Sequence, residues 1–134
     1  MTCPLCNEQR ERRVWQDAYC RVIVVDDVDY PGFCRVIWNT HSKEMTDLTA
    51  DEQAHFMNRV FAVEAVLREL LHPAKINLAS LGNQTPHLHW HVIPRYSDDA
   101  HFPNSIWSAR MRDGAARVAP ALDVLQSKLR ERLG

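Results

Sequence analysis

The chain has 134 residues, 46% of them apolar, with a formal charge of −1. That length suits one domain with a sizeable core, expected over residues 1–134, and the balanced charge gives no pointer to nucleic acid or an acidic membrane surface. No apolar run is long enough to span a bilayer, four cysteines are few for a disulfide framework, and no targeting segment stands out, so the expected location is cytoplasmic.

The chain opens on Cys3-Pro4-Leu5-Cys6, a C-x-x-C. A redox dithiol would follow a strand and open a helix, and no strand fits ahead of Cys3. A structural metal knuckle needs two more ligands, and free thiols are the plain alternative. Residues 19–25 are rich in β-branched side chains and read as a strand. A turn ending in Pro31-Gly32 leads to a return strand over 33–38, with Cys20 and Cys34 as buried strand residues. Thr49-Ala50-Asp51-Glu52 is a capping box. It opens a helix with Phe56, Val60, Val63, Leu67 and Leu70 on one face, stopped by Pro73. Residues 74–81 and 86–95 read as two more strands. A C-terminal helix is expected over 116–132, with Pro120 in its first turn or at its true start. The order implies an α+β domain, an antiparallel sheet with a long helix across one face. Trp15, Trp38 and Trp90 read as core residues, His55 and His72 as solvated helix positions, and His101 as a loop residue. Arg95 reads equally as a phosphate contact or a surface arginine.

The segment with most chemistry is Pro86-His87-Leu88-His89-Trp90-His91-Val92-Ile93-Pro94-Arg95. Three histidines alternate with apolar residues, the period of a strand with one buried face, which would place successive imidazoles about 7 Å apart on the other face. Packing gives no reason to align three titratable rings. A nucleophilic histidine with two positioning neighbours, a metal site, and a histidine-rich surface strand are the competing readings. A cupin-like site would want Glu where Val92 or Ile93 stands, and a metallo-β-lactamase-like site would want Asp at His91.

His87-Leu88-His89-Trp90-His91-Val92-Ile93 resembles the signature of the histidine triad family, His-φ-His-φ-His-φ-φ with φ apolar, at every position. Gly82-Asn83-Gln84 lies near that family's Gly-Gln pair, and Asn77 aligns with its phosphate-contacting amide after a one-residue gap. The resemblance covers about residues 3–107, leaving 108–134 as a helical extension. It is closest to bacterial members of the diadenosine tetraphosphate hydrolase type, in which Asn77 to Asn83, Asp98-Asp99 and Phe102-Pro103 have counterparts.

The resemblance implies a sheet of about five antiparallel strands with a long helix and a C-terminal helix. It also implies a homodimer, a nucleotide as small-molecule substrate, and no organic cofactor. It makes His89 the nucleophile at the α-phosphorus of a dinucleoside polyphosphate, a phosphoramidate or a related adenylated compound. The His91 backbone carbonyl would fix the His89 tautomer, the His91 side chain would donate to the phosphate or leaving group, and His87 would orient the strand. Asn77, Asn83 and Gln84 would bind substrate. Cys3, Cys6, His41 and His87 would hold a structural Zn2+. Trp107 would lie near the nucleotide or a dimer partner. Phe33 stands where many members have a histidine that touches the nucleotide, so it would wall the base or lie in the core. A non-catalytic nucleotide-binding or zinc-stabilised module is the alternative. Sugar-phosphate nucleotidyl transfer would want a longer chain.

Overall fold

The computed structural model describes residues 3–7 and 11–134. Five strands form one antiparallel sheet: β1 (Arg12–Gln16), β2 (Cys20–Val24), β3 (Cys34–Trp38), β4 (Lys75–Ala79) and β5 (His89–Arg95), in the order β1-β2-β3-β5-β4. Helix α1 (Ala50–Leu71) lies between β3 and β4 in the chain, and α2 (Leu122–Leu133) ends it. The expected α+β architecture holds.

β1 does not show in the sequence reading. Its run Arg12-Arg13-Val14-Trp15-Gln16 lacks alternation because the pairing with β2 slips between Arg13 and Trp15, burying Val14 and Trp15 in succession. The C-terminal helix is shorter than the expected 116–132. Residues 116–121 are not helical, so Pro120 lies just ahead of the true start at Leu122.

One face of the sheet builds the core. Cys20, Val22, Val24, Cys34, Val36, Trp38 and Val92 pack against Phe56, Val60, Val63, Val66 and Leu67 of α1. The capping box forms as expected: the Thr49 hydroxyl accepts from the Glu52 N–H at 3.2 Å, and the Glu52 carboxylate accepts from the Thr49 N–H at 2.8 Å. His72, with φ of 49°, caps the C-terminus in the left-handed region one residue before Pro73. Leu125 and Leu129 of α2 extend the same core, and the Trp15 indole donates to the Gly134 carbonyl at 3.0 Å.

His55 departs from the solvated reading. Its Nε2 lies 2.7 Å from Asp17, which also accepts from Arg59 at 3.2 Å, so the pair pins α1 to the β1–β2 turn. Gly32 has φ of +91°, and a Cβ there would sit 2.7 Å from Leu71 Cδ1. The left-handed backbone conformation is what favours glycine, and any larger residue would also push the Leu71 side chain aside.

Phe56 is fully buried beneath Trp38. Phe56→Ala is expected to cost about 3–5 kcal/mol, the range for emptying a buried aromatic site, read as a lower urea midpoint at unchanged m-value.

Candidate active site and metal cluster

The sheet face turned away from α1 carries the chemistry. Pairing sets Arg35 of β3 opposite His91 of β5, Ile37 opposite His89, and Ile23 of β2 opposite Arg35. At one end of this face Leu5 packs on Ile23 and Ile37. At the other, Tyr30 and Phe33 pack on Ile93. Strict alternation from His89 turns Ile93 to the site face as well.

Strand β5 begins at His89, so His87 precedes the strand rather than extending its row. The ring of His87 is fixed at both nitrogens. Nε2 donates to the Trp38 carbonyl at 2.6 Å. Nδ1 then faces Cys3 Sγ at 3.4 Å, Cys6 Sγ at 3.5 Å and His41 Nδ1 at 3.2 Å, while Cys6 Sγ lies 3.4 Å from His41 Nδ1. A tetrahedral ion with ordinary metal–sulfur and metal–nitrogen bond lengths has S···N edges of about 3.5 Å and N···N edges of about 3.3 Å. The four donor atoms therefore fit one tetrahedral ion, all lying within 4.8 Å of one another. The carbonyl on the far nitrogen of His87 is the outer partner that a metal-binding imidazole ordinarily has. The short 3-10 turn Pro4–Cys6 that presents the two cysteines is held independently, because Arg21 donates to the Leu5 carbonyl at 2.5 Å.

His89 Nδ1 donates to the backbone carbonyl of His87 at 2.7 Å. This corrects the expectation that the His91 carbonyl takes that bond: the acceptor is two residues upstream, where the chain bends into the strand. Nε2 is left unprotonated and turned to the cleft. Burial lowers the His89 pKa; the bond to His87 opposes this, and the Arg35 charge lowers it further. His91 Nδ1 is buried with no partner. An N–H there would be an orphaned donor, so the proton belongs on Nε2, which reaches the cleft as a donor. Burial, then the His89 and Arg35 charges, bring its pKa down to about 4. Phe33 and Trp107 pack edgewise or tilted on the His91 ring, at 5.7 and 5.0 Å between centroids.

His89 and His91 line a cleft of about 350 Å³ together with Arg35, Asn83, Gln84 and Trp107. Asn83 and Gln84 are exposed on its rim, in the loop between β4 and β5. Asn77 is not among the lining residues, and its side-chain oxygen accepts from Arg95 at 2.7 Å. Arg95 fits neither sequence reading. It is buried and paired with Asp99 at 2.9 Å. Burial would raise the Asp99 pKa. The Arg95 guanidinium and the N–H groups of Tyr96, His101 and Phe102 outweigh it and hold the carboxyl far below its usual range. His101 is likewise no loop bystander: it is buried, with Nδ1 2.6 Å from the Tyr30 hydroxyl. Sequence reasoning missed Arg35 and Ser80, whose hydroxyl donates to the His89 carbonyl at 2.8 Å. A charge inside the apolar run Cys34–Trp38 was the available signal for Arg35.

A family model for the HIT domain matches residues 7–98. The chain belongs to the HIT domain family. Among solved structures, this HIT protein is similar to histidine triad protein blr8122 of Bradyrhizobium japonicum at 27% identity and a TM-score of 0.75, over 95% of this chain and 93% of that one. A histidine triad protein of Marinobacter aquaeolei VT8 shares the fold at 24% identity and a TM-score of 0.76, over 91% and 90%. So does a Zn-bound histidine triad family protein of Mycobacterium smegmatis at 19% and 0.66, over 95% and 89%. No curated protein matches significantly. No helix among the described residues is long and apolar enough to cross a membrane.

The His91 environment sets a pH dependence of stability. Its pKa is about 4 in the fold against an ordinary 6.5, so the unfolded chain binds the proton first as pH falls. The stability contributed by neutral His91 is complete above pH 6.5 and is lost between 6.5 and about 4. Urea midpoints measured across that window are expected to fall more steeply for wild type than for His91→Asn.

Proposed function

We propose that this HIT protein is a nucleotide hydrolase or nucleotidyl transferase acting through a covalent intermediate on His89. The observation that carries the reading is the 2.7 Å bond from His89 Nδ1 to the His87 carbonyl, which leaves the Nε2 lone pair facing the cleft beside His91. A neutral imidazole with a fixed tautomer is a competent nucleophile. In the proposed first step Nε2 attacks the α-phosphorus of a dinucleoside polyphosphate, nucleoside phosphoramidate or related adenylated compound. An N–P bond forms, and the bond to the leaving group breaks with its electron pair on the leaving group. Water, or a second phosphorylated acceptor, then displaces His89 and takes the nucleotidyl group. His91 Nε2–H donates to a non-bridging oxygen or the leaving group. Backbone amides of the 80–86 loop, with Asn83 and Gln84, stabilise the equatorial oxygens, the pre-organised electrostatic contribution on which phosphoryl transfer depends. Asn77, bonded to Arg95, stands outside the lining of the cleft and is left out of this step.

We assign the metal site to zinc, held by Cys3, Cys6, His41 and His87. Two thiolates and two imidazoles make a closed donor set of the structural type, and the Zn-bound mycobacterial relative supports the choice. Bound zinc there supplies rigidity: it ties the N-terminal turn to the residue whose carbonyl orients His89. A homodimer joined through the sheet edge at β4, which pairs only with β5 among the described residues, completes the proposal.

Wild type incubated with adenosine polyphosphates and phosphoramidates is expected to release nucleoside monophosphate. His89→Ala is expected to release none while keeping the wild-type circular dichroism spectrum, and mass spectrometry of quenched wild type is expected to show a nucleotidyl adduct on His89. Turnover by His89→Ala would remove the mechanism, and binding without turnover by wild type would make the protein a nucleotide-binding module.

Purified wild type is expected to carry one zinc per chain by elemental analysis. Cys6→Ser is expected to lose most of that metal and to melt at a lower temperature, and a strong chelator should lower the wild-type midpoint towards that of the variant.

A further inference from the structure

Two buried arginines on the site face of the sheet are satisfied. Arg21 is paired with Glu11 at 2.7 Å, and Arg95 with Asp99 at 2.9 Å. Arg35 is different. It makes no hydrogen bond or ion pair among the described residues, and its Nε is buried without a partner. Its one close contact of note is the Phe33 ring, 5.9 Å from Cζ to centroid. A half-buried guanidinium without a counter-charge is costly, and a missing partner of opposite sign is the usual resolution.

The position says where that partner belongs. β3 pairs with β5 so that Arg35 stands directly opposite His91, two residue pairs along from His89 and on the same face. Arg35 lines the same cleft as both histidines, with Asn83, Gln84 and Trp107 around it. A guanidinium offers a planar fork of donors matched to two oxygens of one phosphate. The rest of the cleft supplies only neutral donors, His91 and the loop amides, so Arg35 is its one full positive charge among the lining residues.

Taking the cleft as the nucleotide site proposed above, we propose that Arg35 is a substrate-binding residue that pairs with the phosphate oxygens of the nucleotide beside His89 and His91. The site then selects ligands by a 5′-phosphate over the bare nucleoside. The two aromatic walls, Phe33 and Trp107, hold the guanidinium and the His91 ring in place and contribute no charge.

The test is calorimetric titration of wild type, Arg35→Met and Arg35→Lys with adenosine 5′-monophosphate, adenosine and inorganic phosphate. Binding reads this site without requiring turnover. The monophosphate is expected to bind wild type and to lose about tenfold or more in affinity in Arg35→Met, the scale of a lost hydrogen bond to a charged group. Arg35→Lys is expected to recover part of that loss, because it restores the charge without the fork, and it keeps the comparison open if the methionine variant folds poorly. Adenosine is expected to bind weakly and equally to all three. Equal monophosphate affinity in wild type and both variants would overturn the assignment and leave the nucleotide reading intact. Arg35-dependent binding of inorganic phosphate with none of the monophosphate would keep the anion site and overturn the nucleotide reading. No binding of any of the three ligands to wild type would overturn both.

Discussion

His87 donates a hydrogen bond from Nε2–H to the Trp38 carbonyl at 2.6 Å, turns Nδ1 to two cysteines and His41, and offers its backbone carbonyl to His89 Nδ1 at 2.7 Å. Each bond reaches a different part of the molecule: the end of β3, the N-terminal turn, and the proposed nucleophile. Were the ring to rotate, the far-nitrogen bond and the donor cluster would go together, and the carbonyl that sets the His89 tautomer would lose its anchor. The metal-type cluster and the His89 ring are thus separate in chemistry and joined in mechanics.

The sheet can support this because its two faces do different work. The α1 face is almost wholly apolar and supplies the burial that stabilises the fold. The opposite face carries charges that would be ruinous in such a core, and most are neutralised locally. Glu11 answers Arg21, and Asp99 answers Arg95. Arg35 alone faces the cleft unanswered among these three, and His89 and His91, both with depressed pKa values, share its field. That field favours neutral imidazoles, the form a nucleophile and a neutral donor need.

A second polar knot orders the segment after β5. Asp99 accepts from Arg95, the Tyr30 hydroxyl and the backbone N–H groups of Tyr96, His101 and Phe102. One carboxylate therefore fixes the turn that returns the chain over the site face, and Trp107 reaches the His91 ring from the continuation of that turn. Asp99 and Phe102, notable in the sequence only as family features, acquire a physical role in this way.

Local chemistry was legible in the sequence wherever a short-range rule governs it. The Thr49–Glu52 capping box, the heptad-like face from Phe56 to Leu67, the hairpin around Pro31-Gly32 and the alternation of His89 with Trp90 and His91 all depend on neighbours within a few residues. The cysteine pair and the triad were legible as motifs, though only the resemblance joined Cys3 and Cys6 to His41 and His87. Contacts across the sheet were not legible. A strand shows its own alternation but not which residue faces it. Tertiary pairing alone put Arg35 opposite His91, buried Arg95 on Asp99, drew His55 to Asp17, and moved the His89 acceptor from the expected His91 carbonyl to that of His87. Periodicity is a property of one segment, whereas a charge's partner or a ring's tautomer depends on strand order and register, which arise only when distant segments meet.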